Sequence, residues 1–76
     1  MSAKILVVDD EQSIRRLLRN TLERAGHQVI EAVDGRSALA IAAAERPNAV
    51  LLDLGLPDGD GLELVPLLKK EGDTVI

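Results

Sequence analysis

The sequence predicts an α/β domain built on an open parallel β-sheet. Short apolar segments alternate with amphipathic ones along the chain, the apolar segments are continuous, and acidic residues follow two of them. A continuously apolar strand is typical of a parallel sheet covered on both faces. Regular alternation of strands and helices favours right-handed crossovers, with helices on both faces of the sheet.

The elements follow one another in the order β-α-β-α-β-α-β. Predicted strands cover residues 4–8, 28–32 and 49–54, and a fourth begins at 73–76. Predicted helices cover residues 11–26, 34–47 and 61–72. Since the chain has 76 residues and no linker, we expect one domain over residues 1–76 and no second domain.

Helical periodicity assigns an apolar side to each of the first two helices. In the first helix, the arginines take the opposite side, and Gly26 is a natural end. Its apolar stripe comprises Ile14, Leu17, Leu18, Thr21, Leu22 and Ala25. In the second helix, which ends before Pro47, the apolar side comprises Ala38, Leu39, Ile41 and Ala42. Pro66 is expected to cost the third helix a hydrogen bond or to kink it.

Composition excludes several classes of function. The net charge is −4 and there are no aromatic residues, which argues against binding to nucleic acid through phosphates or stacked bases. The absence of cysteine excludes disulfides and thiolate metal sites. No apolar run reaches membrane-spanning length, so we expect no membrane partner and a cytoplasmic protein.

Three aspartates stand at the ends of predicted strands. Asp9 and Asp10 follow the first strand, and Asp53 lies at the end of the third. A strand order of 2-1-3 makes these strands neighbours, so the carboxylates converge at one edge of the sheet. Three negative charges there need a cation, and hard oxygen ligands suit Mg²⁺. Two plainer interpretations stay open: Asp10 caps the first helix, or Asp53 is a polar residue ending its strand.

The remaining polar features favour structural roles. Residues 58–69 do not fit a calcium loop, because Leu62 and Lys69 occupy ligand positions, and there is no Walker loop. We expect Asp58 or Asp60 to cap the third helix, while Gly59 and Gly61 shape its entry. His27, in a turn without a nucleophile nearby, is interpreted as a surface residue. The arginines of the first helix are interpreted as a solvated face rather than a docking patch.

The segments "ILVVDDE" and "VLLDLGLPDGDGLEL" together resemble the receiver domain of two-component response regulators. The resemblance runs from Lys4 to Ile76 and implies a flavodoxin-like fold with strand order 2-1-3-4. It implies that Asp53 accepts a phosphoryl group from a sensor histidine kinase, and that the chain is not itself an enzyme. It further implies that Asp10 binds Mg²⁺ directly, that Asp9 acts through water, and that the Gly55 backbone carbonyl completes the protein ligands.

The sequence also departs from the family pattern. It stops at the start of the fourth strand, so the family's switch hydroxyl and conserved lysine have no counterpart. Thr74 comes too early for the former, and Lys69 and Lys70 belong to the third helix. An open edge and an exposed apolar stripe predict self-association or exchange of elements between copies. The alternative function is therefore an assembly module without phosphoryl chemistry. A dehalogenase-type phosphohydrolase is disfavoured, because its acids are spaced D-x-D.

Overall fold

Three parallel strands and three helices carry the fold. The computed structural model describes residues 2–53 and 55–69, with Asp60 described by its backbone alone. The strands are β1 (Lys4–Val8), β2 (Gln28–Ala32), β3 (Ala49–Leu52), β4 (Gly55–Leu56) and β5 (Gly59–Asp60). The helices are α1 (Gln12–Arg24), α2 (Gly35–Glu45) and α3 (Gly61–Lys69).

The sheet has the strand order β2-β1-β3, with both pairs parallel. The predicted order 2-1-3 is therefore confirmed, and the predicted fourth strand at 73–76 lies outside the described residues. Val8 is in register with Ala32 on one side and with Leu52 on the other. The three strands thus end level with one another, and the residues that follow them emerge along one edge.

The core lies on both faces of the sheet. On one face, the buried residues Leu6, Val8 and Val50 pack with Leu68 of α3 and with the alanines of α2. On the other face, Ile5, Val7 and Val29 pack with residues of α1. Successive side chains of a strand point to opposite faces, so residues 5–8 of β1 are all apolar. This confirms the interpretation of its unbroken apolar run.

The apolar stripe of α1 is only partly buried. Ile14 and Leu17 are 37% and 61% exposed, which confirms the predicted exposed stripe at these two residues. Leu18 and Leu22 pack against the sheet, so for them the prediction of exposure is wrong. Periodicity gives the apolar face of a helix, but the neighbouring elements decide how wide a stripe they cover.

The segment after β3 is a small antiparallel hairpin rather than a loop throughout. β3 ends at Leu52, two residues before the predicted end. Gly55 then pairs with Asp60, and Leu56 with Gly59. Gly59 has a φ of 154°, a backbone conformation that residues other than glycine rarely adopt. α3 begins at Gly61 as predicted and is described to Lys69.

The N-terminus of α2 is held by two carboxylates. Asp34 accepts a hydrogen bond from the Ser37 backbone N–H at 2.8 Å, and the Ser37 hydroxyl completes a capping box. Asp58 accepts from the backbone N–H groups of Gly35 and Arg36, at 2.8 and 3.0 Å. Of the two residues expected to cap α3, Asp58 caps α2 instead, because the hairpin aims its carboxylate there. The side chain of Asp60, the other candidate, lies outside the described residues. In the described part of the chain, no helix is long and apolar enough to cross a membrane.

Candidate metal centre

Backbone hydrogen bonds fix two of the aspartates at the carboxyl edge of the sheet. The Asp9 N–H donates to the Ala32 carbonyl at 3.1 Å, and the Asp53 N–H donates to the Val8 carbonyl at 2.9 Å. Each bond continues a parallel ladder one residue beyond the strand. The backbones of Asp9 and Asp53 are therefore held by the rigid part of the fold.

Asp9, Asp10 and Asp53 come together in space. Each presents a carboxylate oxygen, and the three oxygens lie within 4.8 Å of one another. Asp9 and Asp53 are half-buried and Asp10 is exposed. The residue that caps α1 is Glu11, without a hydrogen bond from its side chain, so the interpretation of Asp10 as a helix cap is wrong.

Short-range hydrogen bonds orient two of the carboxylates. Asp9 Oδ1 accepts from the Glu11 N–H at 2.9 Å, and Asp53 Oδ1 accepts from the Gly55 N–H at 3.0 Å. In the part of the chain that the structure describes, the second oxygen of each group makes no hydrogen bond. Each side chain is thus turned in a defined direction while one oxygen stays available to a ligand.

This donor set fits a small divalent cation. Oxygens about 2.1 Å from one Mg²⁺ lie about 3 Å apart when adjacent and about 4.2 Å apart when opposite. A cluster within 4.8 Å needs only a small closure to reach that span. Exposure of Asp10 leaves room for the waters that Mg²⁺ usually keeps. Gly55 lies beside the cluster through its bond to Asp53, and the role of its carbonyl stays a prediction.

A cavity of about 160 Å³ adjoins the acidic cluster on the side of the sheet that α1 covers. Its lining is Asp9 and Asp53 together with Val7, Val8, Leu18, Leu51 and Leu52. The two carboxylates therefore lie at one side of a largely apolar cavity. A larger cavity of about 290 Å³ lies between α2 and α3, but none of the three aspartates lines it. We therefore place the candidate site at the smaller cavity.

Two arginines interpreted as solvated reach back to the sheet. Arg15 Nη1 donates to the Asp9 carbonyl oxygen at 2.8 Å, and Arg15 and Arg19 both form ion pairs with Glu31. For these two residues the interpretation as a solvated face is wrong. Their spacing of four residues places them on one side of α1, and Glu31 is the acid that interrupts β2. Those two signals are present in the sequence, but their meeting depends on the packing of α1.

His27 is half-buried, and its Nδ1 accepts a hydrogen bond from the Ala3 N–H at 3.1 Å. It ties the turn after α1 to the start of β1. The interpretation of His27 as a surface residue therefore needs correction, because it is partly buried and holds a backbone N–H.

Comparison with known proteins gives one consistent result. A family model described as the response regulator receiver domain matches residues 5–76. A probable transcriptional regulator, ycf27 of Porphyridium aerugineum, is 51% identical over 73 residues, covering 96% of this chain and 30% of the relative. Sporulation initiation phosphotransferase F of Bacillus subtilis (strain 168) is 44% identical over 69 residues, covering 91% of this chain and 56% of that protein.

The solved structures agree with the sequence relatives. The chemotaxis protein CheY4 of Vibrio cholerae matches with a TM-score of 0.86 and 39% identity, covering 93% of this chain and 59% of that one. The chain thus spans about 30–56% of the length of the two relatives named above. Its parallel sheet in the order β2-β1-β3, with helices on both faces, is the flavodoxin-like receiver fold. This chain belongs to the response regulator receiver domain family.

Proposed function

We propose that this chain is a phosphoacceptor of a two-component system and that Asp53 receives the phosphoryl group. The observation that carries the proposal is the convergence of Asp9, Asp10 and Asp53 within 4.8 Å at the carboxyl edge of the sheet. Ligands of open α/β sheets bind at this edge. Similarity to a protein named as a phosphotransferase supports phosphoryl chemistry, as does membership of the receiver family.

The roles of the three acids differ in this proposal. Asp53 belongs to the cluster and also lines the cavity. Its Oδ1 accepts a hydrogen bond from the Gly55 N–H, which orients the carboxylate and leaves the other oxygen to act as nucleophile. Asp9 and Asp10 would hold Mg²⁺ together with Asp53 and the Gly55 carbonyl. When bound there, Mg²⁺ supplies positive charge that offsets the charge of the phosphoryl oxygens.

The reaction transfers one phosphoryl group from a phosphohistidine of a sensor kinase. An oxygen of the Asp53 carboxylate forms a bond to phosphorus, and the phosphorus–nitrogen bond of the donor breaks. The imidazole leaves with the electron pair and takes up a proton, and Asp53 becomes an acyl phosphate. Asp53 is consumed once in each transfer, so the chain acts as an acceptor rather than as an enzyme. Because the kinase draws its phosphoryl group from ATP, the proposal places the chain in the cytoplasm.

The test uses phosphoramidate as a small analogue of phosphohistidine. With Mg²⁺ present, the intact mass of the wild-type protein should gain one phosphoryl group, and the gain should disappear after treatment with hydroxylamine, which cleaves acyl phosphates. Asp53→Asn should abolish the gain. Glu11→Gln, which removes one carboxylate beside the cluster but outside it, should retain it. Phosphorylation of the Asp53→Asn variant would refute the assignment.

A second candidate function is assembly with a further copy of this chain. Leu17 on α1 and Leu51 on β3 are 61% and 41% exposed, and within the described residues β3 pairs with β1 alone. An exposed apolar surface favours association with another chain. If the folded protein takes up no phosphoryl group in the presence of Mg²⁺, this second function is favoured.

A further inference from the structure

Arg15 contacts the segment that carries two of the acids. Its Nη1 donates to the carbonyl oxygen of Asp9 at 2.8 Å, and its Nε donates to Glu31 Oε1 at 3.1 Å. Only 13% of the Arg15 side chain is exposed. Both bonds use the fixed planar geometry of one guanidinium group, so they restrain each other. Arg15 thus connects β2 to the end of β1 from its position on α1.

The carbonyl that Arg15 binds belongs to the peptide linking Asp9 to Asp10. Its orientation therefore influences where both carboxylates point. Glu31, the other partner of Arg15, is firmly held, because it lies within β2 and also accepts a hydrogen bond from Arg19 Nε at 2.6 Å. The hydrogen bond to Glu31 raises the pKa of Arg19, although that side chain is one-third exposed. Glu31 thus holds two guanidinium groups, of which only that of Arg15 reaches the acidic segment.

We propose that Arg15 is a positioning residue for the metal site: it fixes the Asp9–Asp10 peptide so that the carboxylates of both residues converge with that of Asp53. This inference rests on the proposed function, because it takes the acidic cluster to be a Mg²⁺ site. Arg15 itself does not bind the cation. It acts through the backbone that carries the ligands.

Loss of the Arg15 charge and loss of its hydrogen bond would change the Mg²⁺ affinity in opposite directions. A guanidinium so close to the acids repels a cation, so the loss of its charge alone would tighten Mg²⁺ binding. Loss of the hydrogen bond to the Asp9 carbonyl would loosen the ligands and weaken binding. Partners that orient metal ligands commonly contribute about 10–100-fold in metal affinity. The sign of the change therefore separates a positioning role from an electrostatic one.

The experiment is a Mg²⁺ titration of the wild type, Arg15→Gln and Arg16→Gln, followed by backbone amide shifts in NMR spectra. Arg16 is the matched control: it is the next residue of α1, is exposed, and its side chain makes no hydrogen bond or ion pair with the described residues. We expect Mg²⁺ binding to weaken about tenfold or more in Arg15→Gln. In Arg16→Gln it should be unchanged or slightly tighter. Circular dichroism on the same samples reports whether each variant is folded.

Each outcome has a distinct meaning. Equal or tighter binding by folded Arg15→Gln overturns the positioning role and leaves the proposed function standing. Failure of the wild type to bind Mg²⁺ at all overturns the proposed metal site, and this inference with it. If Arg15→Gln does not fold, Arg15→Lys is the second variant, because it keeps the positive charge but lacks the planar group that makes both bonds. Weaker Mg²⁺ binding by folded Arg15→Lys supports the proposal, and unchanged binding overturns it.

Discussion

The carboxylate of Asp58 accepts a hydrogen bond from the backbone N–H of Gly35 at 2.8 Å, across 23 residues of sequence. Its other oxygen accepts from the Arg36 N–H at 3.0 Å. With Asp34 binding the Ser37 N–H, the first three backbone N–H groups of α2 all have carboxylate partners. The hairpin that follows Asp53 is therefore fastened to a helix on one face of the sheet, and helix capping and closure of the hairpin depend on the same side chain.

This contact predicts an acid-labile contribution to stability. The hydrogen bond from Gly35, followed by that from Arg36, lowers the pKa of Asp58 from its ordinary value of 3.8. Because the folded-state pKa is depressed, the stabilisation is present above pH 3.8 and is lost as the pH falls through the lower folded-state value. Asp58→Asn should lower the melting temperature at neutral pH, and the difference from the wild type should shrink in acid.

The measurement is thermal unfolding by circular dichroism from neutral pH to about pH 2, below the ordinary carboxyl range. Glu11→Gln is the control, since it also neutralises one carboxylate but the Glu11 side chain makes no capping bond. A gap between Asp58→Asn and the wild type that stays constant down to the lowest pH would contradict the prediction.

The acidic cluster predicts that loss of one carboxylate stabilises the metal-free protein and reduces its stabilisation by Mg²⁺. Asp10→Asn removes one of three mutually repelling charges, so it should raise the melting temperature without metal. It should also reduce the additional stabilisation that Mg²⁺ gives, because the stabilisation by a ligand increases with the logarithm of its affinity for the folded state. Differential scanning calorimetry with and without Mg²⁺ measures both effects. Glu11→Gln should leave the Mg²⁺ effect intact, and a full Mg²⁺ effect in Asp10→Asn would argue against this ligand.

Two adjacent leucines of α3 test how the core is built. Leu68 is fully buried, whereas 43% of Leu67 is exposed. Leu68→Ala should lower the free energy of unfolding by about 2–5 kcal/mol, through lost burial and the cavity left behind. Leu67→Ala makes the same chemical change at the surface and should cost about 1 kcal/mol or less. Urea denaturation compares the two, and equal losses would mean that α3 does not pack through Leu68.

The exposed apolar surface of α1 predicts association between copies. Sedimentation velocity should show a coefficient that rises with protein concentration, and Leu17→Lys should suppress the rise because it places a charge in the apolar surface. Leu62→Lys is the control, since Leu62 on α3 has the same exposure of 61%. A monomer at every concentration would contradict the prediction. Equal suppression by both variants would place the contact elsewhere.

Several features were determined by local sequence. The apolar runs within Lys4–Val8 and Ala49–Leu52 specify parallel strands, as is typical of such runs. The run in Lys4–Val8 is buried on both faces, whereas in Ala49–Leu52 Val50 is buried and Leu51 is exposed. Gly35–Glu45 is helical because Asp34 and Ser37 supply its cap and Pro47 forbids its continuation. The meeting of Asp9 with Asp53 was also predictable, since both follow strands that become neighbours once the strand order is known.

Other features depended on how the elements pack. The partner of Asp58 could not be read from its position before α3, since the nearer helix is the local choice and only the hairpin geometry selects α2. Likewise, helical periodicity placed Arg15 on a polar face, but a long side chain reaches whatever the neighbouring element presents. Arg15 reaches Glu31 of β2 and the carbonyl of Asp9 at the end of β1.

The sequence by itself determined the β-α-β order, the parallel sheet and the edge at which the acids gather, because these follow from periodicity, turn residues and strand ends. Only the tertiary structure decided which polar groups meet across elements: Asp58 with the N-terminus of α2, Arg15 with Asp9, and His27 with Ala3. The physical reason is that a hydrogen bond tolerates an error of only about a few tenths of an ångström in its donor–acceptor distance. Here the donor and the acceptor lie far apart in the chain. Those distances are set by the packing of whole elements, which local propensity does not encode.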